Sequence, residues 1–439
     1  MSILNVNKIN PVGGGSTITI AGIASVTSSV TAPSFVGAVT GNVTGNVTGN
    51  VTGNVTGDAT GLSGNPSINT TGIVTATSFV PTTGQLSHRN LVINGDFRIA
   101  QRATSSASNG YTSVDRWKME TSNITHNSTK SHQSLTSSDT PYTLGFRKFA
   151  RIALAQAGVV ASNSAAEIQQ RIEAQDIATS GWNHTSASSN ITLQFWFRCS
   201  TNQTFYGYFY SFDGTAQVYT FSFTASGNNT WTKITKTIPG NSNLTIDNDN
   251  GPGLQLKLIA FYGTDYTNNK TLDQWAAYDG ANQMPDMAST WLTAGASTFD
   301  ITGVQLEVGP VATPFEHRSY GDELARCQRY FFNITGDNGS RSGIPGYANA
   351  TNELRCMVQF PVPMRVLPTV SGSSTAMVFD SQDDSASFNC SSLTAGGAPT
   401  TSNPTQMCIE ANTSGMTNGQ GGQLEFRAAN GFINFSAEL

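Results

Sequence analysis

Charged residues are scarce in this sequence. Asp, Glu, Lys and Arg make up 12% of its 439 residues, about half of the roughly 25% that is typical of soluble domains. Disordered chains usually combine a high net charge with few aromatic residues, whereas here the net charge is −5 and aromatic residues reach 9%. The composition therefore favours a folded protein rich in β structure.

A basic excess and long apolar runs are also lacking. With a net charge of −5 the chain lacks the excess of basic residues that binding to nucleic acid or anionic lipid requires, so neither partner is predicted. Residues 1–11 contain no apolar run of signal length. No stretch approaches the roughly 20 apolar residues of a membrane-spanning helix, so membrane insertion is not expected.

Cysteine and histidine are few and scattered. Five cysteines without a Cys-x-x-Cys pair argue against a disulfide framework or zinc site and favour synthesis in a reducing cytosol. Five histidines show no metal-ligand spacing, and no nucleophile elbow, phosphate loop or dinucleotide fingerprint occurs. A glycosidase needs two carboxylates, and nothing selects a pair among 28 acidic residues. We therefore predict no enzyme activity and no cofactor, a structural calcium ion excepted.

A four-residue repeat, Gly-Asn-Val-Thr, fills most of residues 37–61. In an extended chain its valines share one face with the glycines, because the period is a multiple of two; they include Val43, Val47, Val51 and Val55. One chain gains too little apolar burial from such a row to offset its ordering cost. The repeat predicts a β stalk shared by identical chains, with a homotrimer as the natural arrangement. The alternative, a flexible linker, gives no reason for valine at every fourth position.

From about residue 90 to 318 the pattern becomes regular alternation with aromatic residues. Ile191 to Phe197 and Tyr206 to Phe212 alternate as strands do, and Asp213-Gly214 is a turn signal between strands. Residues 165–177 fit a strand or a helix, and a strand is preferred. Several short strands at this spacing predict a β-sandwich. Its predicted core includes Phe195, Phe197, Tyr208, Phe221 and Phe223.

After residue 318 a short helix and a second set of strands are predicted. Ser319 and Asp322 have the spacing of a helix start. Strand patterns then return at 356–360, 407–409 and 424–428, and Asn430-Gly431 predicts a hairpin. These features indicate a small C-terminal β-sandwich.

Several passages resemble parts of bacteriophage tail fibre proteins of marine or cyanophage type. Residues 90–98, Asn-Leu-Val-Ile-Asn-Gly-Asp-Phe-Arg, with Tyr-Thr-Ser-Val-Asp-Arg-Trp at 111–117, resemble the opening of fibre jelly-roll modules, which are similar to carbohydrate-binding modules. Residues 305–316 resemble the closing strand of that module, and 323–331 the link to a fibre tip. The Gly-Asn-Val-Thr array resembles stalks of marine phage fibres.

The resemblance implies a virion protein of the tail, made in the host cytoplasm and usually trimeric. Its N-terminus would bind phage tail or adaptor proteins, and its far end would meet the host. The predicted fold is all-β, an elongated homotrimeric fibre with a stalk, a jelly-roll β-sandwich and a small tip. The predicted domains are an attachment segment 1–36, the stalk 37–89, the jelly roll 90–318 and the tip domain 319–439 with its linking helix.

Aromatic residues outside strand patterns are the best candidates for contact with a glycan. Sugar faces stack on flat rings, and four aromatic residues in loop-like segments are predicted to form an exposed platform: Trp182, Trp275, Tyr278 and Trp291. Asp96 is a candidate calcium ligand, because the related jelly rolls often hold calcium near their first strand.

Three functions remain open at this stage. The first is a non-catalytic fibre that binds a host surface glycan or protein. The second is a polysaccharide depolymerase, although no long right-handed β-helix repeat is visible between residues 90 and 318. The third is a purely structural virion fibre or connector.

Overall fold

The computed structural model describes most of the chain after its first 87 residues. The described residues are Gly13 and those numbered 88–124, 127–336, 341–373, 377–381, 387–396, 402–427 and 431–439, with only the backbone given for 341–343. From residue 88 onward they belong to the unit Thr77–Leu439. The predicted stalk valines Val43, Val47, Val51 and Val55 lie outside the described residues, as does the attachment segment 1–36 apart from Gly13.

The first module is an antiparallel β-sandwich. Its elements in chain order are β1 (Ser105–Ser106), β2 (Lys118–Ser122), β3 (Ser128–Ser134), α1 (Thr140–Thr143), β4 (Lys148–Leu154), β5 (Ala165–Glu173), α2 (Ala174–Ala178), β6 (Asn190–Cys199), β7 (Thr204–Ser211), β8 (Gln217–Thr224), β9 (Thr232–Pro239), β10 (Pro252–Tyr262), β11 (Trp275–Ala277), α3 (Thr290–Thr293) and β12 (Ser297–Val308). The first sheet has the order β1-β3-β4-β12-β6-β9, and the second has the order β11-β8-β7-β10-β5-β2.

Phenylalanines from both sheets meet in the core of the sandwich. The ring centroids of Phe197 in the first sheet and Phe205 in the second are 5.2 Å apart. Phe195 and Phe223 are also 5.2 Å apart. These rings and Phe221 are buried, and edge-to-face contacts of this kind are favourable between aromatic rings. The predicted core positions Phe195, Phe197, Phe221 and Phe223 are therefore confirmed.

Tyr208 is buried as well, but on the opposite face of the second sheet. It packs with Val218, Ile259 and Met284 in a separate cluster. The segment 263–289 carries Met284 across this outer face, and the Tyr208 hydroxyl donates to Gln283 at 2.9 Å. The prediction that Tyr208 fills the sandwich core is therefore wrong, because alternation identifies residues that share a face but not which face points inward.

Two local predictions in the sandwich are confirmed. The ambiguous segment 165–177 is a strand, β5, as far as Glu173, and only then turns into the short helix α2. Asp213-Gly214 lies between β7 and β8, which pair antiparallel as a hairpin, and Gly214 has the positive φ of 62° that favours glycine in such turns.

The second module begins with the predicted helix. Its elements are α4 (Tyr320–Gln328), β13 (Phe331–Gly336), β14 (Arg341–Ala350), β15 (Glu353–Gln359), β16 (Thr369–Gly372), β17 (Met377–Ser381), β18 (Ser387–Asn389), β19 (Ser392–Ala395), β20 (Gln406–Asn412), β21 (Gly421–Phe426) and β22 (Gly431–Ser436). The Ser319 hydroxyl accepts from the backbone N–H of Asp322 at 3.1 Å and caps α4. The strands form a three-stranded sheet, β13-β22-β16, and a seven-stranded sheet, β18-β17-β21-β14-β15-β20-β19.

The hairpin predicted at Asn430-Gly431 is wrong. The strands on either side of this pair, β21 and β22, lie in different sheets: β21 pairs with β14 and β17, whereas β22 pairs with β13 and β16. Asn430 itself lies outside the described residues, and apolar side chains of both strands contribute to one shared core.

Polar contacts hold the two modules together within this unit. The Arg365 guanidinium donates to the backbone carbonyls of Asn250, Ala437 and Glu438 at 2.8 to 3.0 Å. The Asn250 amide in turn donates to the carbonyl of Arg365 at 2.8 Å. Arg116, which is fully buried, is ion-paired with the Glu438 carboxylate. These contacts fix the position of one module against the other.

Two further properties of the structure concern the length of its helices and the state of its cysteines. None of the helices that the structure describes has the length and apolar character needed to cross a bilayer. All five cysteines are buried and have free thiols. Burial raises the pKa of the Cys199 thiol to about 11, so this group is protonated and unreactive at neutral pH.

A candidate ligand-binding patch on the second sheet

The four aromatic residues predicted to form an exposed platform differ in their exposure to solvent. Trp182, Trp275 and Trp291 are buried, at 3%, 9% and 0% exposure, so the exposure predicted for them is wrong. Each indole N–H donates to a backbone carbonyl, as buried tryptophans usually require. Tyr278 is 38% exposed, as predicted. Its role in ligand binding stays a prediction.

The buried tryptophans have two structural settings, because Trp275 belongs to the strand β11 whereas Trp182 and Trp291 come from segments between strands. Trp182 and Trp291 belong to the main core cluster, although both lie outside the strands. The Trp291 ring centroid is 6.3 Å from that of Phe299 in β12. Large rings at the open ends of two sheets exclude water from the core, and this structural role leaves no free ring face for a sugar.

Tyr278 lies against Tyr210 of β7, and Tyr210 in turn lies against Phe212, the residue that follows this strand. The ring centroids of Tyr278 and Tyr210 are 4.8 Å apart at 85°, and those of Tyr210 and Phe212 are 4.8 Å apart at 81°. The Arg171 guanidinium lies 5.2 Å from the Phe212 centroid, within reach of a cation–π interaction. We call these four residues, Arg171, Tyr210, Phe212 and Tyr278, the aromatic patch.

The sheet itself sets the positions of the patch. Arg171 of β5 is paired with Gln255 of β10, which is paired in turn with Tyr210 of β7. The three side chains therefore form one row across the outer face. Tyr278 comes from the segment after β11, where its backbone N–H donates to the carbonyl of Ala216 at 2.9 Å. A rigid row from the sheet thus meets one exposed ring from a loop.

The patch combines ring faces with polar groups that can bond to hydroxyls. Arg171, Tyr210 and Phe212 are half-buried, and Gln255 is buried between Arg171 and Tyr210. The Nε of Arg171 is buried from solvent and makes no hydrogen bond within the described part of the chain. Burial, together with the neighbouring Tyr210, raises the pKa of Tyr278, so its hydroxyl is protonated and can donate at neutral pH. A ligand with apolar ring faces and many hydroxyl groups matches this surface.

Beside the patch, the next rows of the same face hold a buried ionic cluster. The Lys257 ammonium donates to both oxygens of the Glu167 carboxylate at 3.0 and 3.1 Å. The Tyr262 hydroxyl also donates to Glu167, and the Gln169 amide donates to Glu167 and Glu120 at 3.0 Å each. Both oxygens of Glu167 are therefore held as acceptors inside the protein.

The carboxylates of Glu120 and Glu167 are close enough to raise the question of glycoside hydrolysis. Burial raises the pKa of Glu167, and the charge of Lys257 partly opposes this shift. A general acid must present its proton to a substrate oxygen, but Glu167 is 4% exposed and directs both oxygens to Lys257, Tyr262 and Gln169. This geometry fits a structural role for the pair better than catalysis.

Asp96, the predicted calcium ligand, is paired with a cation of the protein. The Arg98 guanidinium forms an ion pair with the Asp96 carboxylate. A fixed positive charge beside a carboxylate disfavours a second cation. No group of three or more His, Cys, Asp or Glu residues in the described chain is arranged to hold a metal ion. Calcium at Asp96 stays a prediction that this pairing does not favour.

Comparisons with known proteins give only distant likenesses. No family model matches the sequence, and no curated protein matches it. The enzymatically active domain of tailspike protein 4 from bacteriophage CBA120 is 12% identical over 50% of this chain, with a TM-score of 0.27. This chain covers 21% of that tailspike chain.

Two other solved structures are covered almost completely. A putative sugar-binding protein from Bacteroides thetaiotaomicron is 10% identical over 50% of this chain and 100% of its own, with a TM-score of 0.28. TmCBM61, solved with β-1,4-galactotriose, is 9% identical over 51% of this chain and 99% of its own, with a TM-score of 0.26. Likenesses of this size carry no argument about function, so the description of the fold rests on the strand pairing above.

Proposed function

We propose that this chain is a fibre protein of a phage tail that attaches the virion to a host cell by binding a surface glycan through the aromatic patch. The exposed ring of Tyr278 against Tyr210, beside Phe212 and Arg171, is the observation that carries the proposal. Flat rings with adjacent polar groups suit a saccharide, which has apolar ring faces and many hydroxyls. No step of catalysis is part of the proposal.

The assembly belongs to the same proposal. The valines of the Gly-Asn-Val-Thr repeat would be shared among three identical chains, and the N-terminal segment would bind a tail or adaptor protein. Three copies of the patch on one fibre would add avidity, because the second and third contacts are made at high effective concentration. Weak binding by one patch is then sufficient for attachment.

The experiment is a glycan array of bacterial surface saccharides, followed by titration calorimetry with the best ligand. We expect Tyr278→Ala to raise the Kd about tenfold, since truncating a central aromatic residue typically costs about 1 to 2 kcal/mol or more. Tyr320→Ala is the matched control, because Tyr320 is 61% exposed at the start of α4 and lies outside the patch. Equal binding by wild type and Tyr278→Ala on every glycan would contradict the proposed site.

The two alternatives give different results in the same set of assays. A purely structural fibre or connector binds no glycan on the array, and antibodies against it label a part of the particle other than the host-facing end of the tail. A depolymerase releases reducing ends from host polysaccharide, and this release is lost on changing a carboxylate. Glycan binding without release of reducing ends supports attachment.

A further inference from the structure

A concave surface lies between the two modules. It is an open cleft of about 1050 Å³, which is at the upper end of the volumes, about 300 to 1,000 Å³, that hold drug-sized ligands. One wall is formed by residues 101–112 of the sandwich, and the other by the three-stranded sheet β13-β22-β16. We call it the inter-module cleft.

Strand alternation gives the sheet wall its polar surface. Ile433 and Phe435 of β22 point into the core of the second module. The residue between them, Asn434, lies on the opposite face and is paired with Asn333 of β13 on one side and Ser371 of β16 on the other. A row of two amides and a hydroxyl therefore crosses the cleft wall.

The polar row has groups available for a ligand. The Asn333 amide donates to the carbonyl of Gln101 at 2.8 Å, whereas the Asn434 side chain, which is half-buried, makes no hydrogen bond to any described residue. Ser371 is exposed. In the next row, Phe432 is 36% exposed and presents an apolar surface beside the amides.

The cleft is neutral in spite of Arg102 at its base. The Arg102 guanidinium lies 3.5 Å from the centroid of Phe331 and is ion-paired with Glu438 at 3.0 Å and with Asp115 at 3.7 Å. The other described residues that line the cleft carry hydroxyl, amide, aromatic or backbone groups. An anionic ligand would therefore have to displace carboxylates from Arg102, which disfavours it.

Both walls are fixed relative to each other before any ligand arrives. The Gln101 amide donates to the carbonyl of Phe331 at 2.8 Å, and Asn333 returns a bond to Gln101. A preformed site loses less conformational entropy on binding than one that must be ordered by its ligand.

From these observations we infer that the inter-module cleft binds a neutral oligosaccharide of a few residues, at a site separate from the aromatic patch. Amides and serine hydroxyls can both donate to and accept from sugar hydroxyls, and Phe432 offers a face for the sugar C–H groups. The inference rests on the proposed function in that it requires glycan binding, and it adds a second site with its own ligand class.

The test uses the full-length protein and a panel of neutral and anionic oligosaccharides, with titration calorimetry and hydrogen–deuterium exchange. For a neutral oligosaccharide we expect protection of residues 331–336 and 431–436. We expect about a tenfold rise in Kd for Asn434→Ala, and a similar or larger rise for Ser371→Trp, which places a bulky ring inside the cleft. Asn412→Ala is the matched control, an exposed strand-end asparagine of the same module outside the cleft, and it should bind as the wild type does.

The outcomes separate this inference from the proposed function. Binding that is lost in Tyr278→Ala but unchanged in Asn434→Ala and Ser371→Trp, with protection only near residues 206–212, overturns the cleft and leaves the proposed function standing. If the cleft prefers anionic oligosaccharides, the inference that its ligand is neutral is wrong. Absence of binding to every saccharide by the wild type overturns both. Binding of a neutral oligosaccharide that is lost in the cleft variants and retained in Tyr278→Ala supports the cleft as a separate site, whereas the patch is contradicted only if Tyr278→Ala binds every glycan on the array as the wild type does.

Discussion

The carboxylate of Glu173 accepts two hydrogen bonds from the guanidinium of Arg329, at 2.7 and 2.8 Å. Glu173 ends β5 of the sandwich and is fully buried, while Arg329 follows α4 of the second module. The Tyr330 hydroxyl donates to the same carboxylate. Burial alone would raise the pKa of Glu173, but the bonds from Arg329 and Tyr330 outweigh it and lower that pKa. The pair thus joins the two modules through one buried charge.

Glu173→Gln is expected to weaken this junction. Because Arg329 keeps partial access to water, we expect a loss of about 2 kcal/mol in the free energy of unfolding, below the 3 to 5 kcal/mol typical of fully buried pairs. Urea unfolding measures the loss, and limited proteolysis shows whether cleavage near residues 318–330 increases. Glu353→Gln is the control, because the Glu353–Arg355 pair is on the surface, where ion pairs contribute little. An unchanged unfolding midpoint in Glu173→Gln would contradict the prediction.

Asp115 is expected to make stability fall with rising pH. Burial raises the pKa of Asp115 to about 6, although Arg102 and the Gln101 bonds partly oppose the shift. The folded protein therefore retains a proton that the unfolded chain releases near pH 4. Stability decreases between about pH 4 and pH 6 and then levels off, by at most about 3 kcal/mol for a shift of this size.

Asp115→Asn removes this ionisation while keeping the size of the side chain. Chemical unfolding of the wild type and the variant at pH 4, 5, 6 and 7 gives the difference between their free energies of unfolding. We expect that difference to change in favour of the variant as the pH rises, because the variant carries no buried charge. Parallel curves for the two proteins would rule out this role for Asp115.

Trp291→Ala is expected to destabilise the protein through loss of packing. Trp291 is fully buried at an end of the sandwich, and truncation of a buried tryptophan typically costs about 3 to 5 kcal/mol. Thermal unfolding should show a clear decrease in Tm, whereas Tyr278→Ala should leave Tm within a few degrees. We also expect the folded fraction of Trp291→Ala to bind glycan with the same affinity as the wild type. A stable Trp291→Ala variant that has lost glycan binding would reverse the roles assigned to the two residues.

The valine repeat is expected to control assembly. Replacement of Val43, Val47, Val51 and Val55 together by Asp places charges on the apolar face of the repeat, where burial without partners is costly. Sedimentation equilibrium should give three times the chain mass for the wild type and a lower mass for the variant. Replacement of the asparagines in the same repeats by Asp is the control, since an extended chain would place them on the other face. A monomeric wild type would remove the basis for a trimer.

Short-range features of the fold could be predicted from the sequence. The Ser319 cap of α4 and the Asp213-Gly214 turn depend on residues within four positions of each other, and both are confirmed. The partners of a strand depend on distant parts of the chain. Asn430-Gly431 has the sequence of a hairpin, yet β21 and β22 belong to different sheets and pair with strands remote in sequence.

The patch was only partly predictable for a similar reason. The position of Tyr278 outside the strand patterns predicts its exposure, but the same reasoning fails for Trp182 and Trp291, which are buried by contacts with residues distant in sequence. Tyr210 and Phe212 could have been found from the strand itself. The neighbouring parity of β7 carries Phe205 and Phe209, which have no polar atom to satisfy, so the parity with tyrosine hydroxyls is the better outer face.

The aromatic patch is built from two kinds of backbone with different tolerance to change. Tyr210 is fixed in a sheet whose registry involves five other strands, whereas Tyr278 follows the short edge strand β11 and begins a segment that lies outside the strands. Selection can therefore alter the length and composition of that segment while the scaffold beneath it keeps its shape. Under the proposed function, a change of the preferred glycan would then require substitutions at a few residues of that segment and no new fold.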